Sequence, residues 1–431
     1  MSRFIIEGGK PISGVHQVPG NKNAALPMLA AVLLASEPVT LENVPDIADV
    51  RVMVKGLEAL GVKVSGSLAE HRLVCDAGNL KADPILPEDI CSLIRTSFLF
   101  VGPLLARKGK VRLRAAPGGD SIGRRRLDTH INGLHALGAR GKPSSMGSIS
   151  MRAPEGFSGT FFMLDEASVM ATENLVMAAV TARGVTTLYN TACEPHVQNL
   201  CEMLCGMGAQ ISGMGTNRLV ITGVPCLHGG TFRVKGDVIE AASYLVAAAV
   251  TGGALSLKGV EPEEMAILEP TFKKFGVRWS VDETGTLKLP AKQKLRTAYD
   301  LGAAIPKIED GPWPALPSDL QSVLIVLATQ TRGTELFFEK MFESRLYFVD
   351  HLIGMGAKIV QCDPHRAVIT GPTRLQGSVV SSPDIRAGMA LIIAALCAHG
   401  TTVIHNAESI DRGYESVETH LSALGAVIRR A

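Results

Sequence analysis

The chain has 431 residues, 46% hydrophobic and 19% charged, with a formal net charge of +2. A single core stops growing well short of that length, so at least two domains are expected. The near-neutral balance contains no basic run longer than the triplet Arg124, Arg125 and Arg126, which excludes nucleic-acid binding through a broad basic face.

In chain order, MSRFIIEGGKPISG opens without the long apolar segment of a secretory signal, and the protein is expected in the cytoplasm. The run from 24 to 35, like its counterpart from 387 to 398, is about a dozen residues long, short of the roughly 20 that span a bilayer. Both are expected as buried helices, with no membrane attachment. From there the chain repeats itself. LEALGVKV at 57, LHALGAR at 134, LCGMGAQI at 204, FKKFGVRW at 272, LIGMGAKI at 352 and LSALGAVI at 421 each close a helix on an apolar-Gly-small step and lead into a strand. The six glycines, 61, 138, 208, 276, 356 and 425, are spaced by 77, 70, 68, 80 and 69 residues. Each is expected to end its helix in the left-handed conformation that glycine adopts without penalty.

A second piece precedes each of these steps: an Ala- and Leu-rich helix, a turn and a short strand. Examples are NAALPMLAAVLLASEPVTLENV, ENLVMAAVTARGVTTLYN, AASYLVAAAVTGGALSLKGV and GMALIIAALCAHGTTVIHN. Their wide apolar faces put these helices centrally, away from water. A unit of two helices and about four strands in ~70–80 residues is too long for a solenoid repeat. Six units are therefore expected as two globular halves of three, divided near residue 230 in the Gly-Gly loop of CLHGGTFRVKGD. The eight cysteines (75, 91, 193, 201, 205, 226, 362 and 397) are scattered. Cys201 and Cys205 lie one helical turn apart but lack the second close pair of a structural zinc site. Buried free thiols are expected.

The segment RAAPGGDSIGRRRLDTH, 114–130, sets Asp120 on a Pro-Gly-Gly turn just ahead of the three arginines. Taken alone, Asp120 reads as a solvated loop acid and each arginine as a surface charge. Asp319 in LPSDLQ precedes an apolar helical run and reads alone as a helix cap.

Together the motifs say more. GNKNAA (20–25), SLIRTS (92–97), PGGDSIGRRRLDTHINGLHALGA (117–139), SVMATENL (168–175), GDVIEAASYLVAAA (236–249), LPSDLQ (316–321), FESRLYFV (342–349), SPDIRAG (382–388) and IDRGYE (410–415) follow one another in this order. In these the chain resembles the enolpyruvyl transferases over essentially its whole length. The resemblance implies an α/β (α+β) fold of two inside-out domains, each of three repeated units with pseudo-threefold symmetry. Residues 22–230 would form the first domain, with the catalytic lid loop, and 1–21 plus 231–431 the second. Substrates are implied to sit in the cleft between them, facing helix N-termini whose partial positive charge suits anions. The activity implied is transfer of the enolpyruvyl group of phosphoenolpyruvate to the 3′-hydroxyl of UDP-N-acetylglucosamine with release of phosphate, the first committed step of peptidoglycan synthesis. The alternatives are action on another nucleotide or on shikimate 3-phosphate, and a catalytically silent paralogue that binds a nucleotide sugar. No metal or organic cofactor and no nucleic-acid or membrane partner is implied. A monomer or weak homo-oligomer is expected.

By the same resemblance, Lys22, Asn23, Arg125, Arg345, Arg386 and Arg412 bind phosphoenolpyruvate, whose phosphate and carboxylate suit fixed cations. Arg95, Arg125, Arg126, Leu127, Asp128, Thr129, Ser168, Val169, Asp319 and Met341 are implied to bind the nucleotide sugar. Ser168 and Val169 would offer backbone N–H groups to the diphosphate, and Met341 its main chain. Asp319 is the candidate base at the sugar hydroxyl, and Lys22 and Arg412 belong to the catalytic set. Asp120 stands where most of the family carry a cysteine that donates a proton and aids phosphate departure. A carboxyl doing this at neutral pH has to keep a proton ordinarily released near pH 3.9, at a cost of about 4 kcal/mol. The arginine triplet opposes it by favouring the anion, and is expected to turn to ligand anions when the lid closes. Glu166, where a lysine can meet the diphosphate, and Arg126, where proline is common, depart from the pattern. Asp237 and Asp384 match family acids expected to hold arginines. Fosfomycin, which alkylates the cysteine thiolate, is expected to spare a chain carrying Asp120.

Overall fold

The computed structural model describes residues 2–120 and 122–431; Ser121 of the expected lid loop lies outside the described residues. All six repeat glycines have positive φ, from +80° at Gly276 to +114° at Gly138, so each helix ends in the left-handed turn that its sequence predicts. The helix Ala48–Ala59, for example, stops before Gly61 and the chain turns into the strand Lys63–Ser67. The same step joins Val417–Ala423 to Val427–Arg430.

Among the described residues the strands form six four-stranded sheets. Each has one parallel edge pair and two antiparallel pairs, as where Val39–Glu42 runs parallel to Gly230–Arg233 and antiparallel to Arg72–Asp76. The quoted Ala- and Leu-rich segments give four central helices, Lys22–Ala31, Val169–Ala179, Val238–Thr251 and Ile385–Cys397. Val101–Lys108 and Ser318–Gln330 complete the set of six. These helices are inside and the sheets outside, because helices apolar on nearly every face are stable only away from water.

The chain divides into two compact units. The first, 20–119 with 125–235, is built on Lys22–Ala31, Val101–Lys108 and Val169–Ala179. In the second, 1–19 with 120–124 and 236–431, the helices Val238–Thr251, Ser318–Gln330 and Ile385–Cys397 pack on one another. These limits differ from the sequence expectation in three places, the first being Gly20 and Asn21, expected in the second domain, which group with the first unit. The strand Gly230–Arg233, expected to open the second half, pairs with Val39–Glu42 and stays with the first unit, held further by Val234 N–H donating to the Glu42 carbonyl at 2.9 Å. Residues 120–124, expected with the first domain, group with the second unit. That unit also includes the N-terminal strands: Arg3–Glu7 lies between Thr401–His405 and Val427–Arg430, and Gly14–Gln17 runs beside Leu255–Lys258.

The eight cysteines are free, but only Cys75, Cys91 and Cys201 are fully buried, and Cys226 and Cys362 are exposed against expectation. No described helix is long and apolar enough to cross a membrane.

Candidate active-site residues in each unit

In the first unit, Asn21 caps the Lys22–Ala31 helix, its side chain accepting from the N–H groups of Asn23 at 2.7 Å and Ala24 at 3.2 Å. This fixes Lys22 as the first helical residue. Lys22 is only 8% exposed, and its Nζ lies 2.9 Å from Asp49 Oδ2. A buried ammonium persists only with such a partner. Asp49, in the first turn of Ala48–Ala59, is a partner of Lys22 that the sequence did not single out, since its surroundings read as an ordinary helix start.

Arg95 donates from Nη2 to the carbonyls of Arg125 and, at 3.2 Å, of Arg126. Burial, then the nearby charge of Arg125, pulls its pKa down to about 10, with Glu166 acting against them. Its cation therefore survives at neutral pH. Glu166 lies within electrostatic reach of both Arg95 and Arg126, which balances the negative charge expected to oppose a diphosphate. Arg126 itself reaches Asp128 Oδ2 at 3.1 Å and Asp165 Oδ2 at 3.7 Å. Leu127 packs partly buried against the core, and the buried Thr129 donates its hydroxyl to Asp165. Next to it, burial and then the Arg95 charge lower His130 to about 3, leaving a neutral imidazole beside Asn174. Ser168 caps the Val169–Ala179 helix, accepting from Ala171 N–H at 3.3 Å. Its own N–H donates to the Glu166 carbonyl at 2.8 Å. Of the two amides expected at a diphosphate, the one of Ser168 is thus committed within the chain.

Gly119 explains the glycine pair ahead of the lid. Its φ is +101°, and a Cβ there would fall 3.0 Å from Arg125 Nη2 and 3.2 Å from Arg95 Cβ. Gly119→Ala should displace both arginines and add left-handed strain of about 1–2 kcal/mol. The expected result is an affinity for the nucleotide sugar about tenfold weaker by isothermal titration.

In the second unit, Ser318 opens the Ser318–Gln330 helix with Pro317 in the cap position. Asp319 is therefore in the first turn and is not the cap. Its carboxylate is clamped: Oδ1 accepts from Arg345 Nη2 at 2.8 Å, and Oδ2 from Arg386 Nε at 2.9 Å and Nη2 at 2.8 Å. The guanidinium-bearing side chains are 3% and 6% exposed, against 28% for Asp319. Burial alone would pull Arg386 down, but Asp319, Tyr414 and Asp237 more than offset it and hold its pKa up. Two permanent cations on one carboxylate leave a net positive group suited to an anion.

Asp237 and Asp384, expected to hold arginines, both cap helices. Asp237 Oδ1 accepts from the N–H groups of Ile239 and Glu240, and Asp384 Oδ1 from those of Arg386 and Ala387. Asp237 also lies within electrostatic reach of Arg386. Asp120 forms an ion pair with Arg412, where the triplet was expected to dominate its surroundings. Arg124 instead donates its backbone N–H to Glu343 Oε2 at 3.2 Å. Met341 is 40% exposed, and its N–H donates to Glu339 Oε1 at 3.1 Å.

One trio of potential metal ligands occurs among the described residues, His16, Glu240 and His420, with donor atoms within 4.8 Å of one another. His16 Nε2 already meets Glu240 Oε1 at 3.0 Å and its ring stacks on Tyr244. None of the candidate residues belongs to this trio.

The family model of EPSP synthase (3-phosphoshikimate 1-carboxyvinyltransferase) matches residues 6–421. Over 428 residues the chain is 50% identical to the UDP-N-acetylglucosamine 1-carboxyvinyltransferase of Treponema denticola, covering 99% of both chains. It is 49% identical to that of Bradyrhizobium diazoefficiens, covering 99% of this chain and 98% of the relative. Among solved structures, the enolpyruvyl transferase NikO from Streptomyces tendae is similar at a TM-score of 0.87 and 25% identity, covering 100% of this chain and 99% of that one. EPSP synthase from Acinetobacter baumannii, at a TM-score of 0.78 and 18% identity over 100% of both chains, shares the fold. With half its residues identical across nearly the full length of such relatives, the chain belongs to the UDP-N-acetylglucosamine 1-carboxyvinyltransferase family.

Proposed function

We propose that the protein transfers the enolpyruvyl group of phosphoenolpyruvate to the 3′-hydroxyl of UDP-N-acetylglucosamine, releasing phosphate, as a cytoplasmic step of peptidoglycan synthesis. The observation that carries this reading is the Asp319 clamp, a carboxylate fixed by two buried arginines at the start of a buried helix. Addition forms a bond from the sugar oxygen to C2 of phosphoenolpyruvate and places a proton on its methylene carbon. Elimination then removes that proton and breaks the bond from C2 to the phosphate oxygen. Oδ1 accepts from one arginine N–H and Oδ2 from two, so Oδ1 is the oxygen to which the acceptor hydroxyl can donate, while the guanidiniums stabilise the charge that develops on it.

Asp120 supplies the methylene proton in this scheme. Its ion pair with Arg412 has a direct consequence: an anionic donor that takes over Arg412 releases the carboxyl from its counter-ion. Lys22, with Asp49 fixing its ammonium, and Arg125 bind the donor's negative charge. Arg95, Arg126 and Thr129 serve the nucleotide.

A phosphate-release assay with phosphoenolpyruvate and a panel of acceptors tests the assignment. Release is expected with UDP-N-acetylglucosamine and not with shikimate 3-phosphate. The reverse preference would move the protein to another branch of the superfamily, and the absence of release with any acceptor would make it a silent binder.

A further inference from the structure

Glu339 follows the strand Gly333–Phe338 of the second unit and its side chain is fully buried. Its Oε1 accepts from the N–H groups of Met341 and Phe342, both at 3.1 Å, and the Ser318 hydroxyl lies 3.0 Å from Oε1 and 2.9 Å from Oε2. One carboxyl thus ties the turn bearing Met341 to the first residue of the Ser318–Gln330 helix, immediately before Asp319. Asp310 faces it. Asp310 Oδ1 accepts from Lys340 N–H at 2.6 Å, whereas Oδ2 is buried and meets no N–H donor among the described residues. The parallel register that sets Glu309 against Phe338 brings Asp310 beside Glu339, and the Glu339 carboxyl is the group left to the otherwise unpartnered Oδ2. Two carboxyl groups hydrogen-bond to each other only by sharing a proton. With the N–H groups of Met341 and Phe342 already on Glu339 Oε1, the place for that proton is between Glu339 Oε2 and Asp310.

We propose that Glu339 and Asp310 share one proton and act as a positioning pair for the acceptor substrate, keeping Met341 and Asp319 in register. This rests on the reading of those two residues as acceptor contacts. When the proton leaves, adjacent carboxylates repel and the turn loses its anchor. The other charged groups around the pair do not replace it: Lys340 Nζ is on Glu309 at 2.9 Å, His365 Nδ1 is on the Glu339 carbonyl at 2.7 Å, and Arg345 is on Asp319. Burial, then Asp310, pushes Glu339 up to about 8, with Arg345 and Ser318 acting against them. The pair therefore holds its proton at neutral pH and loses it as pH rises through that value.

The test compares wild type, Glu339→Gln and Glu339→Ala in steady-state kinetics from pH 6 to 9, and in thermal unfolding from pH 5 to 9. Glutamine keeps the acceptor oxygen and points an N–H at Asp310, mimicking the protonated form. Wild type should show a KM for UDP-N-acetylglucosamine that rises about fivefold or more above pH 8, while Glu339→Gln stays flat within about twofold. Glu339→Ala should raise that KM about tenfold at every pH and leave the KM for phosphoenolpyruvate within about threefold. A merely structural role would move both constants together.

Unfolding reads the proton itself. The folded chain binds it more tightly than the unfolded chain, so this stabilisation is present in acid and lost as pH rises to about 8. The wild-type midpoint should accordingly fall relative to that of Glu339→Gln between pH 5 and 8, then run parallel. Parallel curves throughout, or an alkaline KM rise that persists in Glu339→Gln, would overturn the proposal. If another acceptor is the one turned over, the same KM comparison is made with it. A wild type that turns over none of them refutes the catalytic reading instead, and the melting curves still decide on the shared proton.

Discussion

Asp120→Ala is expected to lower kcat by about a thousandfold, within the range that a positioned general acid contributes, while the Kd for UDP-N-acetylglucosamine shifts by less than about threefold. The separation follows from placement. Asp120 is paired with Arg412 in the second unit, whereas Arg95, Arg126 and Thr129 are organised among residues of the first. Rapid-quench turnover and titration calorimetry on the same preparation check it, and turnover surviving within about tenfold removes Asp120 from the proton-donor role. The companion substitution, Asp120→Cys, places a thiol beside the Arg412 guanidinium, and a neighbouring cation favours the thiolate that attacks an epoxide. That variant should acquire a fosfomycin adduct visible by intact mass, and the unmodified protein should not. An adduct on the unmodified protein would contradict the assignment, since a carboxylate is the far poorer nucleophile.

Asp319→Ala is expected to have two effects of different origin. It removes the acceptor for the sugar hydroxyl proton, and it leaves Arg345 and Arg386 buried without their shared carboxylate. Breaking a buried pair from one side costs about 3–5 kcal/mol, so the denaturation midpoint should fall sharply as turnover vanishes. Asp319→Ala combined with Arg345→Met separates the two: it should recover part of the stability by removing one orphaned cation, and none of the activity. Unchanged stability in the single variant would mean that the clamp contributes nothing. Recovered activity in the double variant would mean that Asp319 is not the base.

Much of the fold was legible because its signals are local. Six glycines at a near-constant interval marked six helix ends, and each has the backbone angle that only the spacing suggested. Four central helices announced themselves by alanine and leucine. Val101–Lys108 was harder to see because it is short and ends in Arg107 and Lys108, whereas Ser318–Gln330 showed as the apolar run that follows Asp319. The unit limit near 230 was misplaced because the strand Gly230–Arg233 looks like any strand, and its partner Val39–Glu42 lies almost two hundred residues earlier.

Among the candidate residues, the cations were carried by motifs, but their partners were not. Asp49 beneath Lys22, Asp165 beside Thr129 and Asp310 against Glu339 are brought in by tertiary packing, and a lone acid in a loop or at a helix start has no pattern. Capping by Asp237 and Asp384 was readable in principle, since each immediately precedes a long apolar helix. A family role in binding arginines was the other expectation; backbone N–H groups bind both carboxylates, and Asp237 also acts on Arg386.

The strand Arg3–Glu7 lies between two strands made near the other end of the chain. Ribosomes add roughly 5–20 residues per second, so this strand waits about 20–80 s after emerging before Val427–Arg430 exists to flank it. The first unit draws its strands from within 20–235 and can close while translation continues. During that interval the nascent protein presents one finished lobe and a strand with both edges unpaired, a surface open to pairing with another chain.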